Sequence, residues 1–328
     1  MSSERRAVTK LYFREAIARA VCEEMEGDES IIVLGQDVGP MGGSYKEFLG
    51  LFDAFGPARV RDMPVAEASM VGIGIGVAAA GMRSLVNITY MDFITLGLDP
   101  LVNYAAKLRY KTGGQLHAPV TIKTTAGARG QGVAHSQCLE AWLMAVPGLK
   151  LVAPSNPADA YGLMKSALRE GGPVVYVDHK RLFPTAGEVP LERECVPIGR
   201  AARLREGTDV TIATHSFMTR IALEAAERLA RERISCDIVD LRSLAPLDMD
   251  FICGSVGKTG ALVTLEEGQI ACGVGTEVAQ RVRERIGDFK SARIGALAAP
   301  VSSNPVLEAA CLPDAERVTA SVRRLLGA

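Results

Sequence analysis

The chain has 328 residues and a formal net charge of -1, and 48% of its residues are hydrophobic. This composition is typical of a globular protein long enough for two domains, and it gives no basis for binding nucleic acid or an anionic membrane surface. No apolar run reaches the roughly 18 residues of a membrane span. The seven cysteines form no C-x-x-C pair and the N-terminus is polar, so we expect a cytoplasmic protein with reduced thiols.

Short apolar strands alternate with amphipathic helices through the first half of the chain. A glycine-rich loop at 39–43 is interpreted as a mobile surface loop, and residues 89–93 as the aromatic end of a strand. This alternation favours a mostly parallel sheet with helices on both faces. The predicted elements are helices over 11–25, 98–110, 139–145 and from Asn156 onward, and strands at 31–34, 84–88, 120–122, 149–153 and 173–177.

One stretch places a single carboxylate at the head of an apolar helix. Residues 67–81 begin with Glu67 and carry no further charge, and their many small side chains allow close packing. A carboxylate there lies at the positive end of the helix dipole and, being partly desolvated, needs a specific partner. The residues alone also allow an ordinary first-turn Glu. The G-x-G-x-G spacing that follows does not fit a dinucleotide fingerprint.

The second half repeats the alternation after a segment rich in proline and glycine. We expect a first domain over 1–184, a linker over 185–199 and a smaller doubly wound α/β domain over 200–328. The predicted elements of the second domain are strands at 210–213, 235–240 and 261–265, and helices over 218–231, 248–256, 275–286 and 314–326.

Five motifs in order along the chain resemble those of one family. The chain resembles the β subunit of the thiamine-diphosphate-dependent decarboxylase component of 2-oxo acid dehydrogenase complexes, a group that includes pyruvate, acetoin and branched-chain enzymes. The resemblance implies a pyrimidine-binding doubly wound α/β domain followed by a transketolase-C-like α/β domain. The motifs are DMPVAE at 62–67, AHSQC at 134–138, VPGLKLVAP at 146–154, DLRSLAPLD at 240–248 and TGALVTLEEG at 259–268.

The resemblance implies roles for three side chains. Glu67 matches the carboxylate that hydrogen-bonds the aminopyrimidine of thiamine diphosphate, favouring the imino tautomer that removes the thiazolium proton, and the cofactor then acts as electron sink. Phe93 matches the aromatic residue that packs against the aminopyrimidine. His135 matches an active-site histidine suited to proton handling or to acyl transfer to lipoamide. The residues alone leave core packing open for Phe93 and a structural role open for His135.

The resemblance also implies metal ions. The chain lacks the G-D-G motif with a following Asn, by which this enzyme class holds magnesium and diphosphate, and in the family that motif lies on a separate α subunit. We therefore expect this chain to hold half of an active site. Family members also carry a structural potassium ion on carbonyl oxygens, and two of the matching residues here depart from the usual Asp and Asn. The matching positions are Val120, Ala167, Leu168 and the two departures, Glu170 and Gly172.

The expected function is that of a β subunit in a 2-oxo acid or acetoin dehydrogenase that passes an acyl group to lipoamide. Its expected partners are an α subunit, in an α2β2 heterotetramer with thiamine diphosphate at the α/β contacts, and a lipoyl-bearing acyltransferase core. Departures from the family pattern at Met63, Ala134 and residues 301–304 leave the substrate open. Two alternatives also stay open: a subunit of a split transketolase-like enzyme and a non-catalytic scaffold.

Overall fold

The computed structural model describes residues 8–190 and 195–328, and its contacts divide the chain into two compact units. The first unit comprises the described residues of Met1–Thr125 and Val146–Ile198, and the second comprises Ala126–Ala145 and Gly199–Ala328. The predicted boundaries at 184 and 200 stay a prediction. Residues 186–190 of the predicted linker form a strand, and residues 191–194 lie outside the described residues.

The strands of the first unit form a buried sheet in the order β6-β7-β5-β4-β2-β3, and β1 pairs with β8 in a separate antiparallel ribbon. In the parallel pairs, Val33 lies opposite Leu85 and Val86 opposite Ile122, which places buried apolar side chains side by side. The strands of the whole chain are β1 (Val8–Tyr12), β2 (Ile31–Gly35), β3 (Val60–Asp62), β4 (Arg83–Ile88), β5 (Val120–Ala126), β6 (Lys150–Val152), β7 (Val174–His179), β8 (Ala186–Pro190), β9 (Ala202–Arg205), β10 (Val210–Thr214), β11 (Cys236–Asp240), β12 (Ser243–Ala245), β13 (Ala261–Gln269) and β14 (Lys290–Ala296).

Helices connect and cover these strands. In the first unit, α1 packs against α6, and two charged pairs reinforce that contact: Glu23 with Lys165 at 2.7 Å and Glu24 with Arg169 at 2.7 Å. The helices are α1 (Phe13–Gly27), α2 (Leu51–Arg59), α3 (Glu67–Ala79), a 3-10 helix (Met91–Gly97), a π-helical segment (Pro100–Ala105), α4 (Ala106–Lys111), α5 (Glu140–Met144), α6 (Pro157–Arg169), α7 (Met218–Ala230), α8 (Met249–Thr259), α9 (Val274–Ile286), α10 (Pro305–Cys311) and α11 (Ala315–Leu326).

The second unit is a smaller α/β fold. Its sheet has the order β14-β13-β10-β11-β9, with β9 antiparallel to β11 and the remaining pairs parallel. Side chains from β10, β11 and β13 form its core together with α7 and α11. None of the helices in the described part of the chain has the length and hydropathy that crossing a bilayer requires.

Two segments differ from the expectations drawn from the sequence. Phe93 lies in the 3-10 helix rather than at a strand end, because β4 stops at Ile88 and the Phe93 N–H donates to the Tyr90 carbonyl at 3.0 Å. In the segment 39–43, which is interpreted above as a mobile surface loop, Pro40 and Met41 are exposed but Gly42 and Gly43 are buried. The backbone folds back on itself there, because the Gly42 N–H donates to the Gly39 carbonyl at 2.9 Å and the Gly43 N–H donates to the Asp37 carbonyl at 2.7 Å.

Helix α3 lies very close to strand β4. A Cβ atom added at Gly74 would be 2.4 Å from Cγ2 of Val86, and the Ser84 hydroxyl donates to the Gly74 carbonyl at 2.8 Å. On the other side of the helix, Gly72 and Gly76 are exposed and nothing lies within 4 Å of their Cβ positions. The close packing of α3 on β4 therefore requires a glycine at position 74, whereas it does not require one at position 72 or 76.

Two alanine substitutions in α3 test this division. We expect Gly74→Ala to lower the free energy of unfolding by roughly 1–3 kcal/mol, because the new methyl group overlaps a β-branched side chain in the sheet. We expect Gly72→Ala to raise it by up to about 1 kcal/mol, because alanine is the better helix former at an open position. Chemical unfolding of both variants and the wild type measures the difference. Equal stability of the two variants would contradict the packing described.

Candidate active site

Glu67 is the first residue of α3 and its side chain is almost wholly withdrawn from water, with 3% exposure. In the described part of the chain, no group donates a hydrogen bond to its carboxylate and no cation pairs with it. Withdrawing a charge from water without a partner costs free energy. This carboxyl group therefore fits a ligand with a hydrogen-bonding group of its own, such as a ring nitrogen with which it can share a proton.

Phe93 is held next to the first turn of α3. The 3-10 helix that carries Phe93 packs on α3, and a Cβ at Gly97 would lie 2.9 Å from Val71 and 3.7 Å from the Glu67 carbonyl. The Phe93 ring is half-buried and meets the Tyr90 ring edge to face, with centroids 6.2 Å apart. The first unit thus places the two predicted pyrimidine-side residues on packed neighbouring helices.

His135 belongs to the second unit, where it is half-buried on a turn that its N–H closes onto the Gly132 carbonyl at 3.2 Å. A cavity of about 380 Å³ lies next to this turn, and its lining residues are Val133, 136–139, 267–269, Ala296 and 298–301. Within this cavity wall, the Ser136 hydroxyl is buried and has no hydrogen-bond partner among the described residues. An unpaired buried hydroxyl beside a cavity is suited to bonding a polar group of a bound molecule.

Three carboxyl groups that the sequence-based reasoning did not single out lie close together in the second unit. Burial, with the nearby negative charges of Glu266 and Glu267, raises the pKa of Glu140 to about 8. Glu266 accepts bonds from the N–H groups of Val274 and Gly275 at 2.9 and 2.8 Å, which satisfies the start of α9. The acidic pair at the end of the apolar run LVTLEE was the only signal of this cluster in the sequence.

A second group that the sequence-based reasoning missed is a buried charged cluster in the first unit. The Lys123 ammonium lies 2.8 Å from Glu47 and 3.1 Å from Asp178, and all three side chains are fully buried. Burial raises the pKa of Asp178 to about 6, although the Lys123 charge opposes this shift. The paired carboxylates raise the pKa of Lys123, so the lysine stays charged. In the sequence, the feature that indicates this cluster is a lysine within the otherwise uncharged strand β5.

The five positions of the predicted potassium site all lie in the first unit, where the chain supplies its own cation. The Arg83 guanidinium donates to the carbonyl oxygens of Leu168 and Glu170, both at 3.0 Å. The Thr121 hydroxyl donates to the Ala167 carbonyl at 3.1 Å. Three of the predicted carbonyls thus already accept hydrogen bonds, so the set fits an added potassium ion poorly, and the potassium site stays a prediction.

Comparison with known proteins agrees with the division of the chain into two α/β units. The family model of the transketolase pyrimidine-binding domain matches residues 9–185, and that of the transketolase C-terminal domain matches residues 199–318. The β-1 subunit of the mitochondrial pyruvate dehydrogenase E1 component of Oryza sativa is 40% identical over 97% of this chain and 87% of its own length. The chain belongs to the family of E1 β subunits of thiamine-diphosphate-dependent 2-oxo acid dehydrogenases.

Other members of this E1 β family act in different complexes. The acetoin:2,6-dichlorophenolindophenol oxidoreductase subunit beta of Cupriavidus necator is 38% identical over 97% of this chain and 98% of its own length. The 2-oxoisovalerate dehydrogenase subunit beta of Bacillus subtilis is 38% identical over 95% and 97%. Among solved structures, a split-gene transketolase described as an inactive β4 tetramer superposes with a TM-score of 0.82 at 26% identity, covering 97% of this chain and 99% of that one.

Membership in the E1 β family confirms several expectations drawn from the sequence. The fold is the predicted α/β pair of a pyrimidine-binding domain and a transketolase C-terminal domain. The protein is an oxidoreductase subunit that depends on thiamine diphosphate and works with an α subunit. The roles of Glu67, Phe93 and His135 stay predictions, because family membership by itself assigns no residue.

The raised pKa of Glu140 makes the stability of the chain depend on pH. An unfolded chain ionises this carboxyl near its ordinary value of 4.5, whereas the folded chain resists ionisation up to about 8. The free energy of unfolding therefore falls as the pH rises between these values. We expect Glu140→Gln to match the wild type near pH 4.5 and to be more stable at pH 9 by on the order of 1–3 kcal/mol.

Thermal unfolding of the wild type and Glu140→Gln between pH 5 and 9 measures this effect. Glu227→Gln, which removes an exposed carboxylate on α7, is the matched control and should leave the pH dependence unchanged. If the unfolding temperatures of the wild type and Glu140→Gln changed in parallel with pH, Glu140 would ionise normally in the folded chain.

Proposed function

We propose that this chain contributes Glu67 as the group that activates thiamine diphosphate, in an enzyme that decarboxylates a small 2-oxo acid or cleaves acetoin. The observation that carries the proposal is the Glu67 carboxylate, which is 3% exposed at the head of α3. It has no partner within the described residues. An ordinary first-turn glutamate would stay in water or pair with a neighbour, and this one does neither.

Each of the three side chains has a distinct part in this proposal. Glu67 forms a hydrogen bond with the aminopyrimidine ring nitrogen and so holds a proton at that atom. Phe93 packs against the ring and keeps water from the carboxylate. His135 handles a proton when the acyl group passes to lipoamide, since an imidazole has one nitrogen that can donate a proton and one that can accept it. When bound, thiamine diphosphate supplies the electron sink of the decarboxylation.

The substrate is one of a small set. The relatives are named for pyruvate, acetoin and 2-oxoisovalerate, and their identities to this chain are 40%, 38% and 38%. Such similar values do not distinguish between them. Turnover of these three compounds by the assembled enzyme would identify the substrate, and a ketose phosphate in the same assay tests the split-transketolase alternative.

The α subunit is proposed to bind the exposed side of α3. Gly72, Ile73 and Gly76 face solvent there, and further apolar side chains of the first unit, Leu96 and Tyr104, are more than half exposed. Small residues allow a partner helix to come close, and exposed apolar patches of this kind mark interfaces. We propose an α2β2 enzyme in which the α subunit holds magnesium and the diphosphate. A lipoyl-bearing acyltransferase core then receives the acyl group.

A matched pair of substitutions tests the role of Glu67. We expect Glu67→Gln to lower turnover of the assembled enzyme on the order of 100- to 10,000-fold, because an amide does not hold the proton as a carboxylate does. Glu67→Asp keeps the charge but shortens the reach, so it should lie between Glu67→Gln and the wild type. Glu188→Gln, at an exposed site of β8, should be fully active. Wild-type turnover by Glu67→Gln would contradict the proposal.

Assembly gives a second test. The chain alone should show negligible affinity for thiamine diphosphate with magnesium, and adding the α subunit should produce a heterotetramer and tight cofactor binding together. Gly72→Trp should block this assembly by filling the exposed face of α3, whereas Glu227→Trp, at an exposed site of the second unit, should not. Light scattering measures assembly and calorimetry measures cofactor binding, on the separate and the mixed chains. Micromolar cofactor binding by the chain alone would contradict the shared site.

A further inference from the structure

The loop that carries His135 is bonded to the rest of the second unit by two carboxylates that lie far along the chain. The Ala128 N–H donates to Oε1 of Glu267 at 2.7 Å, and the Gly130 N–H donates to Oε2 of Glu308 at 2.6 Å. Both glutamate residues are only 7% exposed. Hydrogen bonds from backbone N–H groups to carboxylates are stronger than bonds between neutral groups, and more so where water is excluded.

Packing fixes the same segment. Ala128 is fully buried and packs in one apolar cluster with Ala296, Cys311 and Leu312. Two residues after the second bond, a Cβ at Gly132 would lie 3.2 Å from Cβ of Ser303. The backbone is therefore held at 128, 130 and 132, immediately before the turn that presents His135.

The helix that carries Glu308 faces solvent on its remaining sides. Asn304 begins α10, and its side chain accepts from the N–H groups of Val306 and Leu307 at 3.0 and 3.3 Å. Val306 and Leu307 are 74% and 59% exposed, whereas Glu308 is buried. Apolar residues outside and an acid inside reverse the usual arrangement of a surface helix, so the place of Glu308 is explained by its bond to the loop.

We propose that Glu308 and Glu267 are positioning residues that hold His135 in place for acyl transfer. They act through the backbone at 128 and 130. This inference rests on the acyl-transfer role proposed for His135. A loop ordered before the acceptor arrives loses no conformational freedom at the transfer step, and small displacements of a reacting group are costly to the rate.

Substitutions at Glu308 separate positioning from general stability. In the enzyme assembled from this chain and its α subunit, we expect Glu308→Ala to lower lipoamide-dependent turnover about 10- to 100-fold. Turnover with an artificial electron acceptor should fall by less than about threefold, because that assay omits the transfer step. Glu308→Gln keeps a carbonyl oxygen that accepts from Gly130, so it should recover most of the loss. Val306→Ala, on the exposed side of the same helix, is the control and should resemble the wild type.

Hydrogen–deuterium exchange of the assembled enzyme supplies a readout that does not depend on turnover. We expect faster exchange across 126–139 in Glu308→Ala and in Glu267→Ala, and near-normal exchange in Glu308→Gln and Val306→Ala. Unchanged exchange in both alanine variants, or a parallel fall in both activities, would overturn the proposal. If His135→Ala leaves both activities intact, the role of His135 itself fails, whereas the exchange result still decides whether the carboxylates hold the loop.

Discussion

A buried carboxylate without a partner is unfavourable by itself, and among the described residues of the first unit Glu67 is such a group. Strand β4 and the 3-10 helix pack closely on α3, at Gly74 on one side and at Gly97 on the other. This packing leaves Glu67 almost no exposure to solvent. Such a site favours a ligand that can form a hydrogen bond with the carboxyl group. The packing around α3 thus supports the cofactor role proposed for Glu67.

The second unit follows a different principle, because it satisfies its buried acids internally. Glu266 caps α9, Glu267 and Glu308 bond the loop before His135, and Glu140 keeps its proton to higher pH because burial raises its pKa. Glu266, Glu267 and Glu308 thus fix backbone segments of this unit. The two units therefore contribute in different ways: one presents an unsatisfied charge, and the other presents a side chain on a firmly held loop.

The sequence was sufficient for the fold class and for the family because both depend on local patterns. Alternating apolar strands and helices predicted the parallel sheets, and DMPVAE at 62–67 pointed to Glu67 at the head of α3. The conformation around Phe93 was predicted wrongly, because an aromatic run reads equally well as a strand end or as a tight helical turn. The burial of Gly42 and Gly43 was missed for a similar reason, since composition does not show that their N–H groups bond the carbonyls of Gly39 and Asp37.

The remaining features depend on contacts between distant residues. The bonds from Glu267 and Glu308 to the loop span 139 and 178 residues of sequence, and nothing near Glu308 in the sequence indicates them. The same holds for Arg83, which reaches Leu168 and Glu170 across 85 and 87 residues and already bonds carbonyl oxygens predicted to bind potassium. Local patterns carry no information on such pairs, so only the folded chain reveals them.

The central claim is that the Glu67 carboxylate activates the cofactor, and exchange of the thiazolium C2 proton measures that activation without any substrate. The assembled enzyme, loaded with thiamine diphosphate and magnesium, is mixed with deuterium oxide, quenched at successive times, and read by proton NMR of the released cofactor. The account predicts exchange at least about 100-fold slower in Glu67→Gln than in the wild type. Equal exchange rates at equal cofactor occupancy would contradict it.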